Sequence, residues 1–195
     1  MNPALTARGI LLASWPVKMT AWYLPTFCKG VDAVSTATVL GGYEASAMDM
    51  FLGFIPGTIG EVSKVAILIG FAYMLLRKVI SWRIPVVMMA SFGLCAVLFG
   101  MEQDLATSLL SGGILFGAVF MATDYTTCPM SPVGQYIYAV GCGVIIAVIR
   151  KWGSYAEGVT YGILIMNIVT PLIDKYVKMP VYGKEKAKKE VKANA

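Results

Sequence analysis

The chain has 195 residues, 57% hydrophobic and only 14% charged, with a formal net charge of +5 and a mean hydropathy of +0.70. Soluble domains carry about a quarter charged residues, so this composition excludes an ordinary soluble domain. Seven of the sixteen Lys and Arg lie between Lys175 and Lys192, so the basic excess describes a tail, and no nucleic-acid partner is expected.

In chain order, Leu5–Leu24 is apolar but interrupted by Arg8, Pro16 and Lys18, and reads as a helix bent near Pro16. Residues 25–60 are mixed in polarity and include Lys29, Asp32, Glu44 and Asp49. A segment this long between apolar spans is where chemistry is expected. Five apolar spans follow, at Val62–Leu76, Ile84–Gly100, Ala106–Thr123, Val133–Ile149 and Gly158–Ile173. Each is a little under the ~20 residues that cross the hydrocarbon region, and flanking Tyr, Trp, Lys and Arg extend them by snorkelling. The fold class is therefore an all-α integral membrane protein, divided into a bent helix (1–24), an extracytoplasmic loop (25–60), a transmembrane bundle (61–174) and a Lys-rich tail (175–195).

Arg77, Lys78 and Arg83 share one turn and the Lys tail lies four spans later, so the positive-inside rule puts both in the cytoplasm. The 25–60 loop and the turn with Glu102 and Asp104 then face the other side. Arg150 and Lys151 break this pattern. The tail from Lys184 to Ala195 is expected beside anionic lipid headgroups.

Histidine is absent, which removes the commonest general base and the usual haem and zinc ligands. The cysteines Cys28, Cys95, Cys128 and Cys142 form no CxxC pair, too few and too scattered for a Cys₄ cluster. Cys95 and Cys142 fall within apolar spans; Cys28 and Cys128 fall in loops, where a disulfide or ligand role stays open.

Three segments carry candidate chemistry. Asp32-Ala33-Val34-Ser35-Thr36-Ala37-Thr38 offers a carboxylate and hydroxyls, which on residue types alone is ordinary turn material. Gly53–Glu61 is glycine-rich and leads into a span; its backbone N–H groups suit an anion, while the Glu61 carboxylate suits capping the same helix. Met121–Asp124, with Thr126, Thr127 and Pro129 beyond it, ends a span on a carboxylate. Acids near membrane depth default to functional hypotheses, so Glu61 and Asp124 are the ion-pathway candidates. The glycine sets Gly112, Gly113, Gly117 and Gly141, Gly143 are read as close helix packing.

Six ordered stretches, NPALTAR (Asn2–Arg8), DAVSTAT (Asp32–Thr38), DMFLGFIPGTIGEVS (Asp49–Ser63), VISWRIP (Val79–Pro85), LLSGGILFGAVFMATD (Leu109–Asp124) and YAEGVTYGILIMNIVTPLID (Tyr155–Asp174), together resemble one family, NqrB/RnfD. It comprises the D component of the Rnf ion-translocating oxidoreductase and the B component of the sodium-translocating NADH:quinone oxidoreductase. The resemblance implies FMN held through a phosphoester on Thr38, the last residue of the flavinylation motif, with Asp32, Ser35 and Ala37 as its other members. A flavin transferase would make that bond from FAD with Mg²⁺. Thr36 departs from the family's usual glycine, and Val39 from a common proline. The resemblance also implies half of a ten-helix inverted repeat with a urea-transporter-like fold, and it leaves room for a second, non-covalent flavin. Implied partners are a second covalent-FMN subunit and iron–sulfur subunits in a bacterial or archaeal cell membrane. The implied role is an electron relay, between ferredoxin and NAD⁺ in an Rnf-type assembly, coupled to Na⁺ or H⁺ translocation. The competing expectations are a transporter or channel half without flavin and the B component of the sodium-translocating NADH:quinone oxidoreductase.

Overall fold

The computed structural model describes residues 1–20, 22–23, 35–36, 46–58, 60–101, 104–153 and 158–177. Helices dominate. Among the described residues the β-structure is a two-residue antiparallel ladder, β1 (Trp22–Tyr23) with β2 (Ser35–Thr36), registering Trp22 with Thr36 and Tyr23 with Ser35.

Helix α1 (Pro3–Ser14) starts where Asn2 accepts from the N–H groups of Ala4 (3.0 Å) and Leu5 (3.3 Å), with Pro3 at the first helical position, which satisfies two orphan donors. The helix expected over Leu5–Leu24 breaks at its expected bend, where α1 stops before Trp15 and Pro16 opens the four-residue α2 (Pro16–Met19), and it does not reach Leu24, since Trp22–Tyr23 is extended in β1. Helix α3 (Ala47–Leu52) lies within the segment expected as loop and ends on Gly53 at φ +102°, a conformation that favours glycine.

Four of the five expected spans have helical counterparts: α4 (Lys64–Leu76), α5 (Arg83–Leu98), α8 (Pro132–Trp152) and α9 (Val159–Tyr176). The span expected over Ala106–Thr123 is not one helix. It is α6 (Leu105–Leu110), a break at Ser111–Gly113, then α7 (Ile114–Phe116) running into a π-helical segment, Gly117–Met121. The physical reason is local. Gly112 takes φ +64°, which turns the chain out of the helix. Among the described residues one helix, Pro132–Trp152, is long and apolar enough to cross a membrane, and α4 and α5 are shorter apolar helices.

The main core is a stack of α5, α7, α8, α9 and the π segment, with Met88, Phe92, Ile114, Ala118, Tyr138, Cys142, Ile146 and Ile163 fully buried, and a smaller cluster holds Met50 and Ile55 against Val62 and Leu110. Helix α1 joins it through Leu5 and by laying Gly9 against Leu164. Small residues set the approach of the helices. A Cβ on Gly143 would press on the Ser91 side chain and lie 2.8 Å from Phe92 N and 2.9 Å from Met88 O, so α8 rests on the backbone of α5. Outward-facing apolar side chains surround this core: Ile69, Tyr73, Leu76, Leu94, Val97, Leu98 and Ile168 are each more than 60% exposed. A water-soluble monomer does not leave such an apolar surface open.

Hydrogen bonds define the two ends of the bundle. At one end Ser81 donates to Gln135 (3.2 Å), and the Met130 N–H donates to Asp174 (3.3 Å). At the other, Lys151 Nζ donates to Gly100 O (3.0 Å).

Gly143 and Gly93 make a controlled comparison, because a Cβ on Gly93 would meet only Leu105 and Leu109 at 3.6 Å or more. Gly143→Ala is expected to lose about 1–3 kcal/mol through overpacking. Gly93→Ala is expected to be neutral or to gain up to about 1 kcal/mol from helix propensity. Thermal unfolding in detergent measures both.

Candidate functional site

The break in the third span gathers the buried charge. Gly53 and Ser63 lie against each other: a Cβ on Gly53 would be 2.9 Å from the Ser63 Cα. Glu61 closes a turn by donating its N–H to Thr58 O (3.0 Å). It does not cap α4. That role falls to Ser63, which accepts from Ala66 N at 3.4 Å. The Glu61 side chain instead turns inward. The residue is 5% exposed, its carboxylate lies against Gly113, where a Cβ would collide with Oε2, and Oε2 has no hydrogen-bond partner.

Lys64, in the first turn of α4 and 1% exposed, donates from Nζ to Glu61 O (2.5 Å) and across to Gly112 O (3.2 Å). From the opposite side Arg150 of α8 donates Nη1 to Ser108 O (2.7 Å) and Nη2 to Ser111 O (3.2 Å). Its guanidinium also sits 4.9 Å from the centroid of the Phe92 ring, a favourable cation–π placement. Two cations from two helices thus satisfy the carbonyls that the interrupted helix exposes. Ser111 Oγ, fully buried, has no partner.

Sequence reasoning points to Glu61, but it misses Lys64, Arg150 and Ser111. The available signal is Gly112-Gly113 within an apolar span, together with basic residues where the orientation rule does not expect them. Arg150 and Lys151 depart from that rule because both are spent on carbonyls at helix ends, of α6 and α5 respectively.

Asp124 lies elsewhere, in the connection between the π segment and α8. Half-buried, it accepts from the hydroxyls of Thr126 and Thr127, each at 3.1 Å, and its carbonyl accepts from the N–H groups of Thr127 and Cys128. Its carboxylate organises its own turn. Cys128 beside it is a free thiol. Burial, above all, pushes that thiol up from its ordinary range; Asp124 and Asp174 push the same way, against a backbone hydrogen bond that lowers it. The thiolate needed for a ligand or nucleophile is therefore disfavoured at neutral pH. Of the residues expected to carry flavin, Asp32, Ala37 and Thr38 lie outside the described residues; Ser35 contributes its backbone to the ladder with Tyr23.

An apolar helical bundle with an outward apolar surface and a discontinuous helix whose carbonyls are met by charged side chains defines a helical membrane protein. Residues 1–183 match the NQR2, RnfD, RnfE family, and the chain belongs to that family. It is 46% identical to the D component of the Na(+)-translocating ferredoxin:NAD(+) oxidoreductase complex of Acetobacterium woodii, over 99% of this chain and 62% of the relative. It is 42% identical to the D component of the proton-translocating ferredoxin:NAD(+) oxidoreductase complex of Clostridium ljungdahlii, over 93% and 61%. Identity to the B component of the Na(+)-translocating NADH-quinone reductase of Chromohalobacter salexigens is 36%, over 90% and 47%. The chain thus spans about three-fifths of the length of the two ferredoxin:NAD(+) oxidoreductase relatives.

Replacing Arg150 by Leu leaves the carbonyls of Ser108 and Ser111 without that donor. Charge-assisted hydrogen bonds are worth about 1.5–3 kcal/mol each, so Arg150→Leu is expected to lower stability by about 2–3 kcal/mol. The exposed Lys151→Leu is expected to change it by about 0.5 kcal/mol or less. Chemical unfolding of the two variants in the same detergent checks the difference.

Proposed function

We propose that this chain is a membrane subunit of an Rnf-type ion-translocating oxidoreductase, holding FMN covalently on Thr38 as an electron relay. The observation that carries the reading is the DAVSTAT segment at Asp32–Thr38 in a chain of the NQR2, RnfD, RnfE family. Greater identity to the ferredoxin:NAD(+) oxidoreductase relatives than to the quinone reductase relative supports the Rnf-type assignment over the quinone-reducing one.

The residue chemistry fits a phosphoester made by another enzyme. A threonine hydroxyl is a weak nucleophile without a base beside it, and the chain has no histidine to serve as one. Asp32, Ser35 and Ala37 act in this reading as the residues a flavin transferase recognises, and Thr38 Oγ is the atom that takes the phosphate. When bound, the isoalloxazine supplies the redox chemistry, and the protein supplies its position and electrostatics. Among the described residues no group of three or more His, Cys, Asp or Glu could hold a metal ion, and in this reading iron–sulfur centres and a second covalent flavin belong to partner subunits. A second, non-covalent flavin on this chain is part of the proposal on family grounds alone.

Ion translocation is the other half of the reading. The relatives' names divide between Na⁺ and protons, and Glu61 and Asp124 are the acids proposed for the path. Glu61 is the stronger of the two, because it is buried at a helix break while Asp124 is satisfied by its own turn. The same break favours a second reading, a transporter half that carries no flavin. In the leading arrangement the 25–60 segment faces outward and the Lys-rich tail lies in the cytoplasm of a bacterial or archaeal cell, against membrane lipid.

Mass spectrometry of the peptide containing Thr38, from protein made in its native host, is expected to show the added mass of FMN less water. Thr38→Ala is expected to abolish flavin fluorescence of the denatured band. An unmodified native peptide, or a fluorescent Thr38→Ala band, rejects the site and leaves the flavin-free transporter reading.

A further inference from the structure

The turn that joins α4 to α5 carries three cations, Arg77, Lys78 and Arg83, and no acid of its own: no Asp or Glu occurs between Glu61 and Glu102. Gln135 ties this turn to the connection ahead of α8, accepting from Ser81 Oγ (3.2 Å) and donating to Pro129 O (3.4 Å). The acids at that end of the bundle are engaged locally. Asp124 accepts from Thr126 and Thr127, and Asp174 from the Met130 N–H.

The backbone of the turn is closed by its own bonds. The Lys78 N–H donates to Leu75 O and the Val79 N–H to Met74 O, each at 3.0 Å, which ends α4 as a Schellman motif. Lys78 takes the left-handed position of that motif at φ +54°, and among the described residues no other non-glycine residue has a positive φ. Glycine is favoured there, and a side chain costs stability. A long cation kept where glycine would fold better points to work for its ammonium group outside the fold. Val79, in the position that a Schellman motif frequently packs against its helix, is instead more than half exposed, as are Trp82, Tyr73 and Leu76. From the turn, exposed apolar side chains run along α4 (Leu76, Tyr73, Ile69) and along α5 (Val86, Leu94) at helical spacing. Three cations therefore stand at the head of two apolar stripes.

From this arrangement we infer that the α4–α5 turn is a binding site for an anionic glycerophospholipid, its phosphate among Arg77, Lys78 and Arg83, and an acyl chain along the exposed stripes. Trp82 lies at the boundary between headgroup and hydrocarbon, where its ring is favoured. An acidic protein surface would match the charge but not the apolar stripes. A zwitterionic lipid would match the stripes but not the excess of positive charge. The site uses neither Thr38 nor Glu61, and it stands apart from the function proposed above.

The test places the full chain in phosphatidylcholine vesicles containing a minor fraction of phosphatidylglycerol, with one or the other lipid brominated near its headgroup. Quenching of Trp82 fluorescence, taken as the difference from Trp82→Phe, gives the affinity of the turn for phosphatidylglycerol relative to phosphatidylcholine. Phosphatidylglycerol is expected to be preferred, and Arg77→Gln and Arg83→Gln each to lower the preference about fivefold. Lys78→Gly separates binding from folding. It is expected to raise the melting temperature by about 2–4 °C while lowering the lipid preference about fivefold. Equal quenching by the two lipids overturns the site, as does a preference that survives all three substitutions. A Lys78→Gly variant that gains stability and keeps its full preference removes Lys78 from the site and overturns the reading of its backbone. Failure of both lipids to quench Trp82 shows that protein covers the turn, and overturns the site as well.

Discussion

The backbone carbonyls released at the Ser111–Gly113 break are the constraint around which this bundle is arranged. A helix that stops inside an apolar bundle leaves its last carbonyls without partners, and there is no water there to take them. The chain answers with two long cationic side chains from different helices, Lys64 reaching from α4 and Arg150 from α8. Each needs a stem long enough to cross to the break and a path that buries it. Phe92 lines the path of Arg150. The remaining packing serves that convergence: Gly143 brings α8 onto α5, and Gly117 admits Val159 of α9. The break is therefore not a weak point patched by chance neighbours. It is a junction where several elements are held by charge-assisted hydrogen bonds.

Orientation has to be argued with these bonds in view. Counted as bare positive charges, Arg150 and Lys151 contradict the side chosen by Arg77, Lys78 and Arg83. Their donors, however, go to Ser108, Ser111 and Gly100 at helix C-terminal ends, where cations also complement the helix dipole. The positive-inside bias concerns charges left in connecting loops, and a guanidinium folded back over an aromatic ring is not one of them. Within the bundle, Ser81 and Gln135 share one end and Gly100 and Lys151 the other.

Much of this architecture is legible in the residues. Four apolar spans are helices within a few residues of their expected limits, because an unbroken run of apolar side chains has few other solutions in a bundle. The bend at Pro16 follows from the missing N–H and fixed φ of proline. The third span looks continuous in sequence, because hydropathy does not register the φ +64° turn at Gly112. Reading the glycine spacing as packing is right for Gly117, Gly141 and Gly143, where side chains or backbone of neighbouring helices fill the space. It is incomplete for Gly113, whose missing Cβ accommodates the carboxylate of Glu61. Glu61 itself stands out for the right chemistry and the wrong contact, since helix capping goes to Ser63. Lys64 and Arg150 give no signal as site residues, because nothing local in a sequence says that a basic side chain will reach 39 to 48 residues along the chain to a carbonyl.

Glu61 and its basic neighbours form a cluster of opposite charges at the break. Replacing a buried ion cluster by well-packed apolar residues is often neutral or stabilising, so stability alone is a weak reason to keep a lysine 1% exposed and a glutamate 5% exposed in an apolar bundle. The carbonyls at the break take their donors from Lys64 and Arg150. Glu61 adds the opposite charge to a break that holds these two cations. Its Oε2 is left over after that hydrogen-bond accounting, and Gly113 provides the space in which it sits. Charge balance against Lys64 and Arg150 is therefore what the carboxylate contributes to the cluster.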